Sequence, residues 1–346
     1  MTDVAPHLLL RNPSLAVCEA EMKWLSAIVF AVWCSAAAWA STGPVIGVSV
    51  QPIDDGTKAY LNTTTGDNLL YTYVSWVESA GGRVVPIPYN APIEQLDELL
   101  PQLNGILFTG GDASVNDKAV HIYQRAVEMN DRGIRFPVWG ICLGFEWLVQ
   151  ITARDLGAVQ SGFATENISL PLDFTAEAAS SRMFGGASAD LMDALATRPL
   201  TFNLHHDGIT VDHFNSFPKL TDFYKVLSTN EDTQGRRFVS AIEAKDYPFY
   251  GIQFHPEKMQ FEFGEYPNGA PYRAVDHSKH AVLAAQHLAN VFIQEARKND
   301  QRFASAAARR KALIYNYRTT TTPNPSLPVL YVFLDFPHAD DNATPW

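Results

Sequence analysis

Short apolar runs alternate with amphipathic stretches along most of this chain, from Pro44 onward. The runs have the length of β-strands, and the stretches between them show the spacing of helices with one buried face. This alternation predicts an α/β sheet whose strands are joined by crossover helices. The predicted strands are residues 45–50, 83–87, 105–108, 136–140, 238–243 and 250–254. The predicted helices are residues 68–79, 93–100, 120–132, 145–152 and 278–298. Residues 162–203 are less periodic, and we expect a functional loop around residues 180–185.

The first 40 residues have a different pattern. Residues 24–38 are almost wholly apolar and small, Met22 and Lys23 precede them, and Ala38-Trp39-Ala40 follows the small-x-small pattern of signal peptidase sites. We expect a signal region over residues 1–40, cleaved after Ala40, and a single domain over residues 41–346. A spanning helix is the alternative, but the apolar stretch is short for the ~20 residues that cross a bilayer. Residues 1–21 are either an extended signal or the result of a start codon assigned too early.

The charge and composition of the chain indicate which classes of partner to expect. The formal charge is −11 and no run of Lys and Arg forms a stripe, so we expect no nucleic-acid partner. With 47% hydrophobic residues, the chain has ample material for a packed core. We expect no membrane association of the mature form. Three N-glycosylation sequons, at Asn62, Asn167 and Asn342, fit a secreted glycoprotein.

The cysteine count points to a reactive thiol. Of Cys18, Cys34 and Cys142, only Cys142 remains after the expected cleavage, so the mature chain has no disulfide framework. A lone cysteine is either a small buried core residue or a reactive group. Its neighbourhood favours the second interpretation. Cys142 is the centre of Gly140-Ile-Cys-Leu-Gly144, the cysteine form of the nucleophile elbow, between a predicted strand and a predicted helix.

In such an elbow the flanking glycines permit a tight reversal, and the thiol projects at the carboxyl edge of the sheet. The helix amino terminus is expected to lower the pKa of the thiol. The alternative is an ordinary strand-to-helix turn that happens to contain cysteine.

A base and its orienting carboxylate are predicted at His255-Pro256-Glu257. If this segment ends a strand, His255 and Glu257 point to the same face and Pro256 points away. A histidine held in one tautomer by a carboxylate is what cysteine nucleophiles require. The alternative makes Glu257 a helix-start residue and His255 a packed strand terminus.

Donors for an oxyanion hole are predicted at two places. The N–H of Leu143 lies next to the predicted nucleophile, and Gly110 or Gly111 follows the predicted strand 105–108. Glycine there lets the backbone approach a substrate carbonyl closely.

Three spaced segments, Phe108-Thr-Gly-Gly, Gly140-Ile-Cys-Leu-Gly and Phe254-His-Pro-Glu, together resemble the class I glutamine amidotransferase-like superfamily. Within it the chain resembles the gamma-glutamyl hydrolase family, whose enzymes trim poly-gamma-glutamate tails from folates. Further similar stretches lie at residues 73–86, 137–146, 181–184, 247–258 and 311–315. The resemblance implies a flavodoxin-like, three-layer αβα fold with a mostly parallel central sheet.

The resemblance also implies chemistry and partners. Cys142 would attack the gamma-amide carbonyl, His255 would shuttle the proton, and water would resolve a thioester. Folate or antifolate poly-gamma-glutamates are the expected substrates, without a cofactor or metal, in a possible homodimer. The expected location is the secretory pathway, ending outside the cell, in the lysosome or in the vacuole.

Three further residues are predicted to bind substrate. Glu146 stands where amidotransferases commonly carry Gln, which argues against free glutamine as substrate, although a solvated helix glutamate is the alternative. His205 matches a family histidine lining the active site, but the residues after it depart from the animal pattern, so a surface loop histidine is the alternative. Arg182 could pair with substrate carboxylates.

Other functional classes remain open. A glutaminase-type amidotransferase or another gamma-glutamyl amide hydrolase would use the same machinery, and a noncatalytic binding protein could share the fold. The presence of all three predicted catalytic residues disfavours the binding protein. A metal hydrolase is disfavoured because no HExxH or CxxC spacing occurs.

Overall fold

The computed structural model describes residues 43–322 and 328–334. The predicted signal region and the Asn342 sequon lie outside these residues. The described residues from Pro44 onward form one compact unit. Within the described ranges, no helix combines the length and the apolar character needed to cross a membrane.

An eight-stranded sheet forms the centre of the unit. Its spatial order is β4 (Arg83–Ile87), β1 (Val45–Ser49), β5 (Gly105–Phe108), β6 (Val138–Ile141), β12 (Phe249–Ile252), β11 (Arg237–Ala244), β10 (Tyr224–Glu231) and β8 (Asp173–Phe174). The first five strands pair in parallel, and the last three add antiparallel pairings at one edge. The predicted α/β fold with a mostly parallel sheet is therefore confirmed.

Both faces of the sheet are covered, which is why its central strands are apolar along their whole length. One core packs α2 (Tyr71–Ser79), α6 (Ala189–Thr197) and α10 (Lys279–Ala296) against the sheet, with Trp76, Trp139 and Phe292 in mutual ring contact. The other core packs α3 (Ile93–Leu99), α4 (Asp117–Asp131) and α5 (Leu143–Ala153). Helix, sheet and helix thus form three layers.

Two small sheets flank this unit. One has the order β13 (Thr319–Thr321), β14 (Val329–Phe333), β3 (Asp67–Leu70) and β2 (Gln51–Pro52), and the other pairs β7 (Gln160–Leu170) with β9 (Thr201–Gly208). The remaining α-helices are α1 (Asp55–Leu61), α7 (Val211–Asn215), α8 (Pro218–Phe223), α9 (Pro256–Phe261) and α11 (Ala306–Ala312).

The helix predicted over residues 68–79 is wrong in its first turn. Residues Asp67–Leu70 are strand β3, because they pair with β14 from the far end of the chain, and the helix begins at Tyr71. Similarly, the weakly periodic region 162–203 contains most of β7, which pairs with β9 through register shifts. Neither pairing has a local signal.

The parallel strands bring three chain segments together. Because β5, β6 and β12 run in the same direction as neighbours, their carboxyl ends lie at one edge of the sheet. Thr109 to Gly111 follow β5, Cys142 follows β6, and His255 comes three residues after β12. Ligands of open α/β folds bind at this edge.

Candidate active site

Cys142 occupies a strained turn between β6 and α5. Its φ of 53° and ψ of −110° are unusual for a residue with a side chain. The turn is held because the backbone N–H of Cys142 donates to the Ile252 carbonyl at 2.9 Å, which ties it to β12. Strain held in this way is typical of functional sites.

Close backbone approach explains the two glycines of the elbow. A Cβ on Gly140 would lie 2.4 Å from the Gly144 carbonyl oxygen, and one on Gly144 would lie 2.2 Å from the Phe108 carbonyl oxygen. Both distances are shorter than any real Cβ contact, and both partners are backbone atoms that cannot turn aside. The elbow can therefore form only without these side chains.

His255 and Glu257 form a buried pair. His255 Nδ1 lies 2.8 Å from Glu257 Oε1, and the side chains are 6% and 0% exposed. The predicted route to this contact is wrong: β12 ends at Ile252, His255 is the N-cap of α9, and Glu257 lies in the first turn of that helix. In the neutral ring, an Nδ1–H that donates to this carboxylate leaves the lone pair on Nε2. Nε2 is buried and has no hydrogen-bond partner among the described residues.

Cys142 and His255 line the same cavity, which has a volume of about 530 Å³ and which we call the first cavity. Gly110 lies between the side chains of Cys142 and His255. A Cβ on Gly110 would be 3.0 Å from His255 Cε1 and 3.4 Å from Cys142 Cβ, so one added methyl group would touch both side chains. The thiol and the imidazole are thus neighbours across a gap that only glycine leaves open.

The thiol is protonated at rest. Burial raises the pKa of Cys142 well above its ordinary value, and the carboxylates of Glu146 and Glu257 raise it further. The Leu143 N–H at the amino terminus of α5 and the charge of Lys258 act in the opposite direction but do not prevail. The helix terminus therefore lowers the pKa of the thiol through the Leu143 N–H, as predicted, but desolvation outweighs this contribution and the net shift is upward. A base must remove the proton before the sulfur can attack.

The predicted oxyanion donors have different surroundings. Leu143 N–H is next to the sulfur, and Gly111 lies between the first cavity and its neighbour. The N–H of Gly110, by contrast, already donates to the Tyr73 hydroxyl at 2.9 Å. The prediction that Gly110 supplies a donor to the oxyanion hole is therefore corrected, because its N–H already has an acceptor. Tyr73, which is 2% exposed and lines the first cavity, was missed as a site residue. Its only sequence signal was its place in a family-like stretch.

A second cavity of about 330 Å³ is also lined by Cys142. Glu146 lines it, is 5% exposed, and accepts a hydrogen bond from Gln253 Nε2 at 2.9 Å. Burial raises the pKa of Glu146 to about 7, with a further contribution from Asp207 against the lowering effect of Gln253. The alternative of a solvated helix glutamate is wrong.

His205 lines both cavities and is 5% exposed. Its Nδ1 lies 2.7 Å from the Asp207 carbonyl oxygen, and its Nε2 lies 3.1 Å from Asn203 Oδ1. Burial lowers the pKa of His205 to about 3. The His205 ring is therefore uncharged where it lines the cavities next to the thiol. The alternative of a surface loop histidine is wrong.

Arg182 is not in either cavity. Its guanidinium donates to the carbonyls of Ala244 and Tyr247, lies 3.3 Å from Glu243 Oε1, and sits over the Tyr250 ring. The prediction that Arg182 binds substrate is corrected: it anchors the turn after Ser181 to β11. The Glu243 carboxylate completes this anchor by accepting from the backbone N–H groups of Arg182 and Met183.

The described ranges contain no group of three or more His, Cys, Asp or Glu placed to hold a metal ion. The arrangement instead combines a buried thiol, a nearby imidazole with a bare nitrogen, and a carboxylate on the other nitrogen. Such an arrangement is suited to acyl transfer through a thioester.

Comparisons with known proteins agree with this chemistry. The family model described as glutamine amidotransferase class-I matches residues 65–268. Gamma-glutamyl hydrolase B of Dictyostelium discoideum is 40% identical, covering 81% of this chain and 79% of that protein. Gamma-glutamyl hydrolase of Bos taurus is 36% identical, covering 82% and 87%. Gamma-glutamyl hydrolase 1 of Arabidopsis thaliana is 36% identical, covering 80% and 78%. The chain therefore belongs to the class-I glutamine amidotransferase family and, within it, to the gamma-glutamyl hydrolases.

Proposed function

We propose that this enzyme hydrolyses the gamma-glutamyl amide bonds of folate and antifolate poly-gamma-glutamates, with Cys142 as nucleophile, His255 as base and Glu257 as its orienting carboxylate. The observation that carries the proposal is the shared cavity: Cys142 and His255 line it, and Nε2 of His255 has no other partner among the described residues. The names of the relatives supply the bond type.

The reaction begins with transfer of the Cys142 proton to His255 Nε2. The sulfur then attacks the gamma-carbonyl carbon, and the resulting oxyanion is stabilised by the N–H of Leu143 and by the Gly111 segment. His255 returns the proton to the leaving nitrogen as the C–N bond breaks, which leaves a thioester. Water, deprotonated by His255, attacks this thioester and restores the thiol.

The substrate pocket is proposed to comprise both cavities. Glu146 lines the second cavity beside Cys142, and His205 lines both cavities. A carboxyl group with a pKa of about 7 is protonated in acid, so Glu146 would donate a hydrogen bond to the glutamyl group there. This role favours an acidic working pH.

Incubating the protein with a folate polyglutamate at acidic pH, and separating the products, tests the proposal. We expect shortened folates from the wild type and none from Cys142→Ala. An intact tail with the wild type would refute the substrate assignment, and equal activity of Cys142→Ala would refute the mechanism. Ammonia release from glutamine in a parallel assay would favour the glutaminase-type alternative.

We also propose that the protein enters the secretory pathway through residues 1–40 and ends outside the cell, in the lysosome or in the vacuole. The sequons support this route, since Asn62 and Asn167 are both exposed, as glycan attachment requires. Sequencing the amino terminus of the secreted protein tests cleavage after Ala40, and treatment with a glycosidase tests the glycans. Light scattering of the same sample tests the homodimer that the family implies.

A further inference from the structure

We propose that Gln51 is a positioning residue for the reaction: its side chain holds the segment from Thr109 to Gly111 so that the Gly111 N–H can stabilise the oxyanion. This inference rests on the proposed function, in which Cys142 attacks a carbonyl carbon, and it adds a residue outside the predicted catalytic set.

Gly111 is the glycine donor that remains available. The N–H of Gly110 is occupied, since it donates to the Tyr73 hydroxyl. The N–H of Gly111 makes no hydrogen bond to any described residue, and Gly111 is exposed. Gly111 also lines both of the cavities that Cys142 lines. An oxyanion donor from this segment is therefore the Gly111 N–H, and its direction depends on what holds the segment in place.

Within the described residues, hydrogen bonds anchor the segment only up to Gly110. The N–H of Thr109 donates to Ser49 Oγ at 3.1 Å, and its hydroxyl donates to the Ser49 carbonyl at 3.0 Å. Gly111 has no such bond, and glycine has the freest backbone of any residue. Contact sets its position instead, because a Cβ on Gly111 would lie 2.7 Å from both Cγ and Cδ of Gln51. The Gln51 side chain therefore lies directly against Gly111, on a side that only glycine leaves open.

The Gln51 side chain is itself held in one orientation. Because the Thr109 hydroxyl proton goes to the Ser49 carbonyl, Thr109 Oγ1 can only accept from Gln51, whose Nε2 lies 3.3 Å away. The backbone is fixed as well, since Gln51 begins β2 and its carbonyl accepts from Asn68 Nδ2 at 3.3 Å. The residue is only 7% exposed. Gln51 thus connects the Gly111 segment to the small sheet that contains β2.

The other polar atom of the Gln51 amide argues against a purely structural role. Oε1 is buried and has no hydrogen-bond partner in the part of the chain that the structure describes. A buried carbonyl oxygen without a partner is destabilising, and a methionine of similar length would fill the same space without one. The amide gains only the bond to Thr109, next to Gly111. Its benefit is therefore the position of this segment.

Positioning has a kinetic signature that two other roles lack. A substrate ligand in the first cavity, which Gln51 lines, would act mainly through KM. An acceptor that withdrew the Gly111 N–H from the substrate would increase kcat when it was removed. A residue that positions an oxyanion donor acts on kcat, and only where an oxyanion forms.

The experiment combines kinetics with two inhibitors. The aldehyde N-acetyl-glutamate γ-semialdehyde accepts the Cys142 sulfur at its carbonyl carbon, while the thiol proton moves to His255 and the carbonyl π electrons form an oxyanion. The corresponding alcohol binds without forming one. Gln51→Ala should lower kcat for a folate polyglutamate by about 10- to 100-fold, with KM changed less than about threefold, because a misdirected donor costs less than a deleted one. The Ki of the aldehyde should rise by the same factor as kcat falls, and the Ki of the alcohol by less than about threefold.

Gln51→Met keeps the contact with Gly111 and should recover part of the loss. Gln294→Ala, on the exposed face of α10, should change neither kcat nor either Ki. A rise in KM alone, a rise in kcat, or equal changes of the two Ki values would overturn the inference. If Gln51→Ala does not fold, the same comparison of Ki values on Gln51→Met decides. Failure of the proposed function is a different result, in which the wild type binds the aldehyde but leaves a folate polyglutamate intact.

Discussion

The backbone N–H of Gly110 donates a hydrogen bond to the Tyr73 hydroxyl across 2.9 Å, at the wall of the cavity that holds Cys142. This bond fixes the loop after β5 against α2. Tyr73→Phe should leave a buried N–H without an acceptor and lower the free energy of unfolding by about 1–3 kcal/mol. Because the Gly110–Gly111 segment borders the reacting atoms, kcat should also fall, by about tenfold.

A matched control separates the two effects. The Tyr123 hydroxyl lies 2.9 Å from Thr152 Oγ1 and lines neither cavity. Tyr123→Phe should destabilise the protein without lowering kcat. If both variants kept full kcat when assayed without denaturant, Tyr73 would have only a structural role.

Glu257→Gln tests the tautomer of His255. The amide nitrogen of Gln would donate to His255 Nδ1, so the imidazole proton would move to Nε2 and the base would be blocked. We expect kcat to fall at least about 100-fold, since the equivalent change in a serine triad costs about 10⁴-fold. Circular dichroism should be unchanged. Activity within a few-fold of wild type would mean that the carboxylate does not select the tautomer.

The protonation state of the thiol is directly measurable. Since burial raises the pKa of Cys142, the resting enzyme should contain no thiolate from mildly acidic to neutral pH. The ultraviolet difference spectrum between wild type and Cys142→Ser should then lack thiolate absorbance in this range. The difference removes the contributions of Cys18 and Cys34. A thiolate band near neutral pH would indicate a preformed ion pair with His255 instead.

The sequence predicted the parts of this site that depend on local rules. The elbow around Cys142 has a glycine pattern that reflects backbone contacts, and the α/β alternation places its thiol near the end of β12. The contact between His255 and Glu257 was predicted correctly, but from the alternation of side chains along a strand. In the structure the two residues meet at the start of a helix instead.

The remaining features depend on partners distant in the chain. Nothing near Gly110 indicates that Tyr73 occupies its N–H, and nothing near Arg182 indicates that the carbonyls of Ala244 and Tyr247 already satisfy its guanidinium. Charge and residue type alone made Arg182 look like a substrate ligand. The strand β3 was missed for the same reason, since β14 lies more than 250 residues away.

Gly144→Ala should prevent the elbow from forming. Its Cβ would lie 2.2 Å from the Phe108 carbonyl oxygen, so β5 and α5 would have to separate. Overpacking of this kind costs about 3 kcal/mol, and here backbone atoms must move. Gly186→Ala is the control, because its Cβ would have no neighbour within 4 Å. Urea denaturation should show a large loss for the first variant and none for the second, and equal midpoints would contradict the contact.

Glu146 should make stability depend on pH. Its pKa in the folded protein, about 7, exceeds the ordinary 4.5 because burial disfavours the charged form. The folded state therefore binds the proton more tightly than the unfolded state. The stability gained is fully present below the unfolded pKa and is lost as pH rises through the folded pKa. The full loss corresponds to about 3 kcal/mol.

Glu146→Gln keeps an oxygen for Gln253 Nε2 but cannot ionise. Between about pH 5 and pH 8, the free energy of unfolding of the wild type should therefore fall relative to this variant, by up to about 3 kcal/mol. The exposed Glu98 provides the control, since Glu98→Gln should follow the wild type at both pH values. Urea titrations at the two pH values measure the difference. Parallel curves for wild type and Glu146→Gln would show that the buried carboxyl does not titrate in this range, and the proton that Glu146 is proposed to donate to substrate would lose its basis.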